Sequence, residues 1–501
     1  MLMLGSSRQD NLLLPAVLGL LALALVAGAL LPASLPWSLV GLAGAAIGIY
    51  WAARWQVVLL PFFWVISYGL LNWPQWRVEF TGFFNMTVPR WLFLAMVLIF
   101  VIHVLLRPRA IRLNQPAFWA FLAMLAYFGI SAQVHGWTIP MRGELASAPY
   151  FRLLAAFAFP FLASVIIFNL VRREQQIVYI LVLLSLFAWY ALYIGYLQYA
   201  VARGFAAAEG LIWPREILSP EYGIHQERGR GPYASTSPQG FLLCVVFFGN
   251  LLLLRRVRGP VRVPFIAQCA LIPPAIFFTQ LRAAYLAFLV ASFIWCVWAS
   301  RTVIAKAALA ASLVGLMVLV AVFWSNVSST DRSAGGVAQI DPIRARAELA
   351  SNTWQIFTRK PIFGVGFGHY FSPASRELIR PQQFQAVATA SVTPHNVFLV
   401  ILAETGLVGL VLFVTALVML FRASLRLYRR VPDNAPAFLS RPFIVFYWCV
   451  LAAWFVDAQF IDPFWVEANN ALLWSLSGVV LAYDRLLEAH RLDEPASGRV
   501  V

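Results

Sequence analysis

Charge is what this chain has least of. Only 12% of its 501 residues are Asp, Glu, Lys or Arg, while 61% are hydrophobic, a balance that excludes a soluble globular protein of this length. Carboxylates are the scarcer sign, 21 against 37 Lys and Arg. The resulting formal charge of +16 would suit nucleic acid, but the basic residues cluster in short loops between apolar runs and form no basic stripe interleaved with aromatics. No nucleic-acid partner is expected. Cysteine is also scarce. Cys244, Cys269, Cys296 and Cys449 all lie inside apolar runs, so neither a disulfide framework nor a zinc site is indicated. Gly364, Gly366 and Gly368 follow Pro361 without the strand-to-helix setting of a dinucleotide loop, and no Walker lysine follows them. They read as a tight turn, and no cofactor is expected.

What the chain has is apolar runs long enough to span a bilayer. About fourteen can be placed, near 12–31, 37–53, 56–72, 90–106, 117–134, 151–170, 177–201, 239–254, 264–280, 283–300, 303–324, 396–421, 442–458 and 467–483. The first is too long for the apolar core of a signal peptide and is expected to be retained. The fold class is therefore an all-α polytopic bundle of about 12–14 transmembrane helices. Arg54, then Arg107, Arg109 and Arg112, then Arg172 and Arg173, and the later groups Arg255–Arg262, Arg301–Lys306, Arg422–Arg430 and Arg485–Arg491 fall in alternate loops. All land on one side if both termini are cytoplasmic. The opposite side receives segments near 73–89, 135–150, 202–238, 281–282, 325–395 and 459–466. Three regions follow: N-terminal spans to 200, a middle region 201–425 containing the long outer loop 325–395, and C-terminal spans with a cytoplasmic tail from 426.

The outer segments hold nearly all polar residues without an obvious structural task. The long loop reads as an amphipathic helix over 342–359 with Leu349, Trp354 and Ile356 among its apolar anchors, a break at Pro361–Gly368, and a second short helix near 373–378. It closes on Thr393-Pro394-His395-Asn396. Thr393 can cap a helix and Pro394 suits its first position, placing His395 in the first turn, where the positive end of the helix dipole favours neutral imidazole. A neutral His can accept a proton. Arg228 and Arg230 lie among glycines that would let backbone and guanidinium approach an anion together. Arg282 stands between two apolar runs with almost no loop, a costly place for a charge without a task. Glu404 is too far along the helix from His395 to bond it, about 13 Å, and reads as a buried carboxylate paired with another span.

His395-Asn396 followed by an apolar helix through Thr405, with Gly406 and Gly409 beyond, resembles the signature motif of the O-antigen ligase/O-antigen polymerase superfamily. Trp354 and Pro361-Ile362-Phe363-Gly364-Val365-Gly366-Phe367 resemble the segment preceding it. Arg228-Gly229-Arg230-Gly231-Pro232-Tyr233 and Thr279-Gln280-Leu281-Arg282-Ala283-Ala284-Tyr285 resemble the family's two arginine-bearing outer motifs. Leu281 stands where members often have Ser, and either Arg228 or Arg230 could be the family equivalent. The likeness covers roughly 220–420.

The resemblance implies a metal-independent, inverting glycosyltransferase of the bacterial inner membrane, with its active site at the periplasmic face. Its donor would be a glycan on undecaprenyl diphosphate. The acceptor would be a lipid A–core sugar for a ligase, or the growing chain for a polymerase. In these terms His395 is the base, Arg228 or Arg230 with Arg282 binds the diphosphate, and Asn396, Glu404, Gly406, Gly409, Trp354, Gly364 and Gly366 support them. A solute transporter is the rival reading. Against it stand the absence of an inverted repeat and the gathering of candidate residues at one face rather than at midplane.

Overall fold

A computed structural model describes residues 57–72, 78–80, 84–106, 111–138, 149–219, 222–223, 227–299, 341–379, 395–432, 438–461 and 467–493, with isolated positions at 310, 314, 318 and 321. The expected spans at 12–31 and 37–53, and nearly all of 303–324, lie outside them. Every other expected span is a helix: α1 (Leu60–Leu70), α2 (Val88–Leu106), α3 (Pro116–His135), α4 (Pro149–Leu170), α5 (Glu174–Ala202), α6 (Thr236–Arg256), α7 (Val263–Phe278) and α8 (Arg282–Trp298). The outer helices α9 (Asp341–Arg359) and α10 (Pro373–Glu377) come next, then α11 (Val397–Arg430), α12 (Arg441–Asp457), α13 (Glu467–Leu481) and α14 (Tyr483–Asp493). Seven of the described helices are long and apolar enough to cross a membrane, and α1 and α8 are shorter apolar helices. The molecule is an all-α polytopic membrane protein. The sequence did not foretell the small antiparallel hairpin between α1 and α2, β1 (Val78–Phe80) with β2 (Phe84–Met86), in which Glu79 faces Asn85.

The bundle is built around α6, which is buried from Thr236 to Asn250 without interruption. Around it α8 runs along α12, α13 along α4, and α11 along α3. Ion pairs bring arginine-bearing helix ends together at one end of the bundle. There Arg256 pairs with Glu174 at 2.6 Å and Arg430 with Asp484 at 3.6 Å. The ends bearing Arg228, Arg282 and His395 lie at the other.

Two irregular helices shape that second end. In α4 the turn Leu153–Ala158 is a π-helix. Pro160 lacks the N–H that would bond the Ala156 carbonyl, and a proline there crowds the turn before it. The widened turn relieves the crowding, and Asn470 of α13 donates to the freed Ala156 oxygen at 3.0 Å. In α11 the backbone leaves helical geometry at Gly406, with φ 65° and ψ −164°. The sequence reads here as one continuous span; the structure has a short outer segment, Val397–Thr405, set on a longer one.

Candidate active site at the outer end of the bundle

His395 is held from both sides. Asn396, not Thr393, caps α11: its Oδ1 accepts from the Leu399 N–H at 3.0 Å, while its Nδ2 donates to Gln459 Oε1 at 3.0 Å. The Val397 N–H donates to the Ala458 carbonyl at 2.9 Å. Asparagine caps a helix better than threonine, and this one also reaches the turn after α12. The expectation that His395 sits in the first helical turn is therefore corrected; it precedes the cap. Its pKa is still depressed, but the causes are burial first and the positive charge of Arg346 second, not position within the helix. Arg346 comes from α9 and lies over the Phe460 ring, 5.7 Å from its centroid.

His395 also has a φ of 49° and Gln280, just before Leu281-Arg282, a φ of 50°; they are the only non-glycine residues with positive φ among those described. Such backbone costs on the order of 1–3 kcal/mol and persists where surrounding structure imposes it, often at functional sites. Both immediately precede a helix start that carries candidate residues. No sequence signal marks them.

The arginines separate by environment. Arg230 is 1% exposed and its guanidinium is committed to the backbone carbonyls of Ile217, Tyr233 and Ala234, over the Tyr222 ring. Burial lowers its pKa from the ordinary value. Arg228 is buried and pairs with Glu227 through Nε at 3.3 Å. The glycines between and beside them serve protein packing rather than anion approach. A Cβ on Gly229 would press on the Gly195 carbonyl and Phe278, and one on Gly231 would run into Gln239. Arg230→Ala should lower thermal stability by roughly 1.5–3 kcal/mol, the loss of a charged hydrogen-bond set. A thermal unfolding series in detergent checks this.

Arg282 opens α8 and is exposed. Tyr285, one turn on, feels the charges of both Arg228 and Arg282, with Tyr199 beside it. Tyr199 stacks on Phe278 at 4.0 Å between centroids. Arg203, at the end of α5, lies over the Tyr199 ring at 5.0 Å and donates to its hydroxyl at 3.1 Å. The structure thus gathers Arg228, Arg282 and, unforeseen, Arg203 around an aromatic platform, an arrangement that binds planar or multiply charged anions well.

A buried polar knot joins this platform to the His395 turn. Ser237 Oγ, shortly after the Arg228 loop, donates to Asp457 Oδ2 at 2.8 Å, and Asn469 Nδ2 donates to the same oxygen at 2.6 Å. Asp457 directly precedes Ala458 and Gln459, which grip Val397 and Asn396. Asp457 was legible in principle: it is a carboxylate inside an apolar run, the rule applied to Arg282.

The loop after α9 braces the break in α11. Leaving helical geometry at Gly406 strands two carbonyls and two N–H groups, and the loop supplies partners for all four. Val365 and Gly366 N–H groups donate to the Ala403 and Glu404 carbonyls at 3.1 and 2.8 Å. Leu407 and Val408 N–H groups donate to Pro361 and Ile362 at 2.9 and 3.3 Å. Gly364 and Gly406 permit this approach; a Cβ on either would fall on the other segment's backbone. What comes close at Gly406 is this loop and not a neighbouring helix. Gly409 does admit one, α3, whose Tyr127 hydroxyl donates to the Thr405 carbonyl at 2.8 Å. Glu404, fully buried, pairs with Arg152 of α4 at 2.6 Å, and Arg152 lies over Phe367. Trp354 is 55% exposed and stands outside this assembly.

Residues 267–414 match the family model described as O-antigen ligase. That stretch of the chain is similar to the O-antigen ligase family. None of the curated proteins compared with it matches. The O-antigen ligase match takes in Arg282, the loop after α9, His395 and the break at Gly406; Arg203, Arg228 and Asp457 lie beyond it and join the site through the fold. The apolar helices make this a multi-pass membrane protein, and the match supports a role of the glycosyltransferase type.

Proposed function

We propose that the chain is an O-antigen ligase family member that transfers a glycan from undecaprenyl diphosphate to a lipid A–core sugar hydroxyl at the periplasmic face of the bacterial inner membrane, with both termini cytoplasmic. The catalytic region is 201–425, completed by the turn after α12. The observation that carries the reading is the meeting of the Arg228 and Arg282 charges at Tyr285 with a depressed-pKa His395 at the same end of the bundle.

The step needs no covalent intermediate. His395 accepts the proton of the acceptor hydroxyl as its oxygen bonds to the anomeric carbon. The bond from that carbon to the diphosphate oxygen breaks on the opposite side, inverting the centre, and the diphosphate leaves with the electron pair. Arg228 and Arg282 meet the charge that grows there. Arg203 supports them through Tyr199. Asn396 and Gln459 aim the imidazole. Positive inner loops fit the assigned orientation.

The test is transfer by purified protein in liposomes from a polyprenyl-diphosphate oligosaccharide to lipid A–core. Arg282→Lys should lose most activity, since a point charge does not replace a planar fork, and EDTA should leave the rate unchanged. Wild-type activity in Arg282→Ala, or loss to EDTA restored by a divalent cation, would sink the mechanism. Polymer growth without transfer to lipid A–core would sink the acceptor assignment.

A further inference from the structure

On the α3 side of the molecule, built from elements other than those carrying the arginine platform, lies a cavity of about 530 Å³ between α3 and the loop Arg359–Gly364. Its floor is Ser131, Gly364 and half-buried Tyr127. One wall is apolar and open to the bilayer, with Ile130, Val134, Ile362 and Phe363 all more than half exposed. Its outer end carries His135, Arg359 and Lys360, and no carboxylate lines it. Arg152, Arg90 and Arg228 at this end of the bundle each pair with a carboxylate. The side chains of Arg359 and Lys360 have no ion-pair or hydrogen-bond partner among the described residues.

The polarity order is that of a lipid standing in the outer leaflet. From Ile130 to His135 α3 rises about 7.5 Å, and Arg359 and Lys360 come just before Ile362 and Phe363, so the cations border the apolar wall. Unpaired basic residues at that level attract anionic head groups, and an arginine beside a lysine offers a fork and a point charge to one phosphodiester. We propose that this cavity binds an anionic glycerophospholipid of the surrounding bilayer, its phosphate on Arg359 and Lys360 and its acyl chains along Val134 and Phe363. The occupant would sit on the same loop that braces the break in α11.

Native mass spectrometry of the detergent-purified chain with added phosphatidylglycerol or phosphatidylcholine tests this without any transfer assay. Phosphatidylglycerol should bind in preference. Arg359→Gln and Lys360→Gln should each weaken it about fivefold, the effect of about one interfacial charge, and together more. Arg429→Gln, at the opposite end, should leave it unchanged, and melting temperatures show that each variant is folded. Equal binding of phosphatidylcholine, or undiminished binding in the double variant, would overturn the proposal. So would displacement by inorganic phosphate, which would make the cavity a simple anion site. Displacement by geranylgeranyl diphosphate would assign it to the donor and equally overturn it.

Discussion

His395→Ala and His395→Gln should both slow glycan transfer by about 10²–10⁴, the usual loss for a general base, while inserting normally and retaining donor, because the arginines remain. Gln keeps polar reach without basicity, so it should be nearly as slow as Ala. The pH profile adds a sharper mark. Burial, then Arg346, lowers the His395 pKa, so the neutral form that accepts a proton already dominates above the ordinary value of about 6.5. The rate should therefore hold through neutrality and fall only as pH drops through the depressed pKa. Arg346→Ala removes a positive charge and should move that acid limb to higher pH. Wild-type transfer by His395→Gln would mean that another group takes the proton.

The largest effect on stability should come from Arg152. Removing it leaves the Glu404 carboxylate fully buried with the Tyr370 N–H, at 3.3 Å, as its remaining donor among the described residues. Breaking a buried pair from one side costs roughly 3–5 kcal/mol, whereas replacing both partners with apolar side chains is often neutral. Arg152→Ala should accordingly lose most of its folded yield or melt far lower, and Arg152→Leu combined with Glu404→Leu should recover much of that loss. Thermal unfolding of both in detergent decides it: an Arg152→Ala variant as stable as the parent would mean that the ion pair is solvent-relaxed.

The spans could be read from the sequence because burial in a bilayer demands unbroken apolar runs, and no other feature of the chain competes with that signal. The helices after Asn326 were legible for a related reason: amphipathic spacing in α9 and the Pro-Gly punctuation after it are local. What escaped is what depends on partners. Arg152 looks like the charged edge of a span until Glu404 is placed against it. Arg203 looks like a solvated helix end until Tyr199 and Phe278 are stacked beneath it. Asn396 is a good cap in sequence, but its grip on Gln459 after α12 is seen only in the fold. The doublet Arg228/Arg230 is ambiguous in sequence, and the two part only when the carbonyls around Arg230 are in view.

The break at Gly406 has a mechanical consequence. Val397–Thr405 is fastened at its start to the turn after α12 and at its end to the loop after α9. The same loop also holds Leu407 and Val408 just past the break, and beyond them α11 makes none of these bonds and packs on α3. Long spans answer changes in bilayer thickness by tilting. Here such a tilt can be taken up below Val408, and the imidazole keeps its aim as the membrane around it thins or thickens.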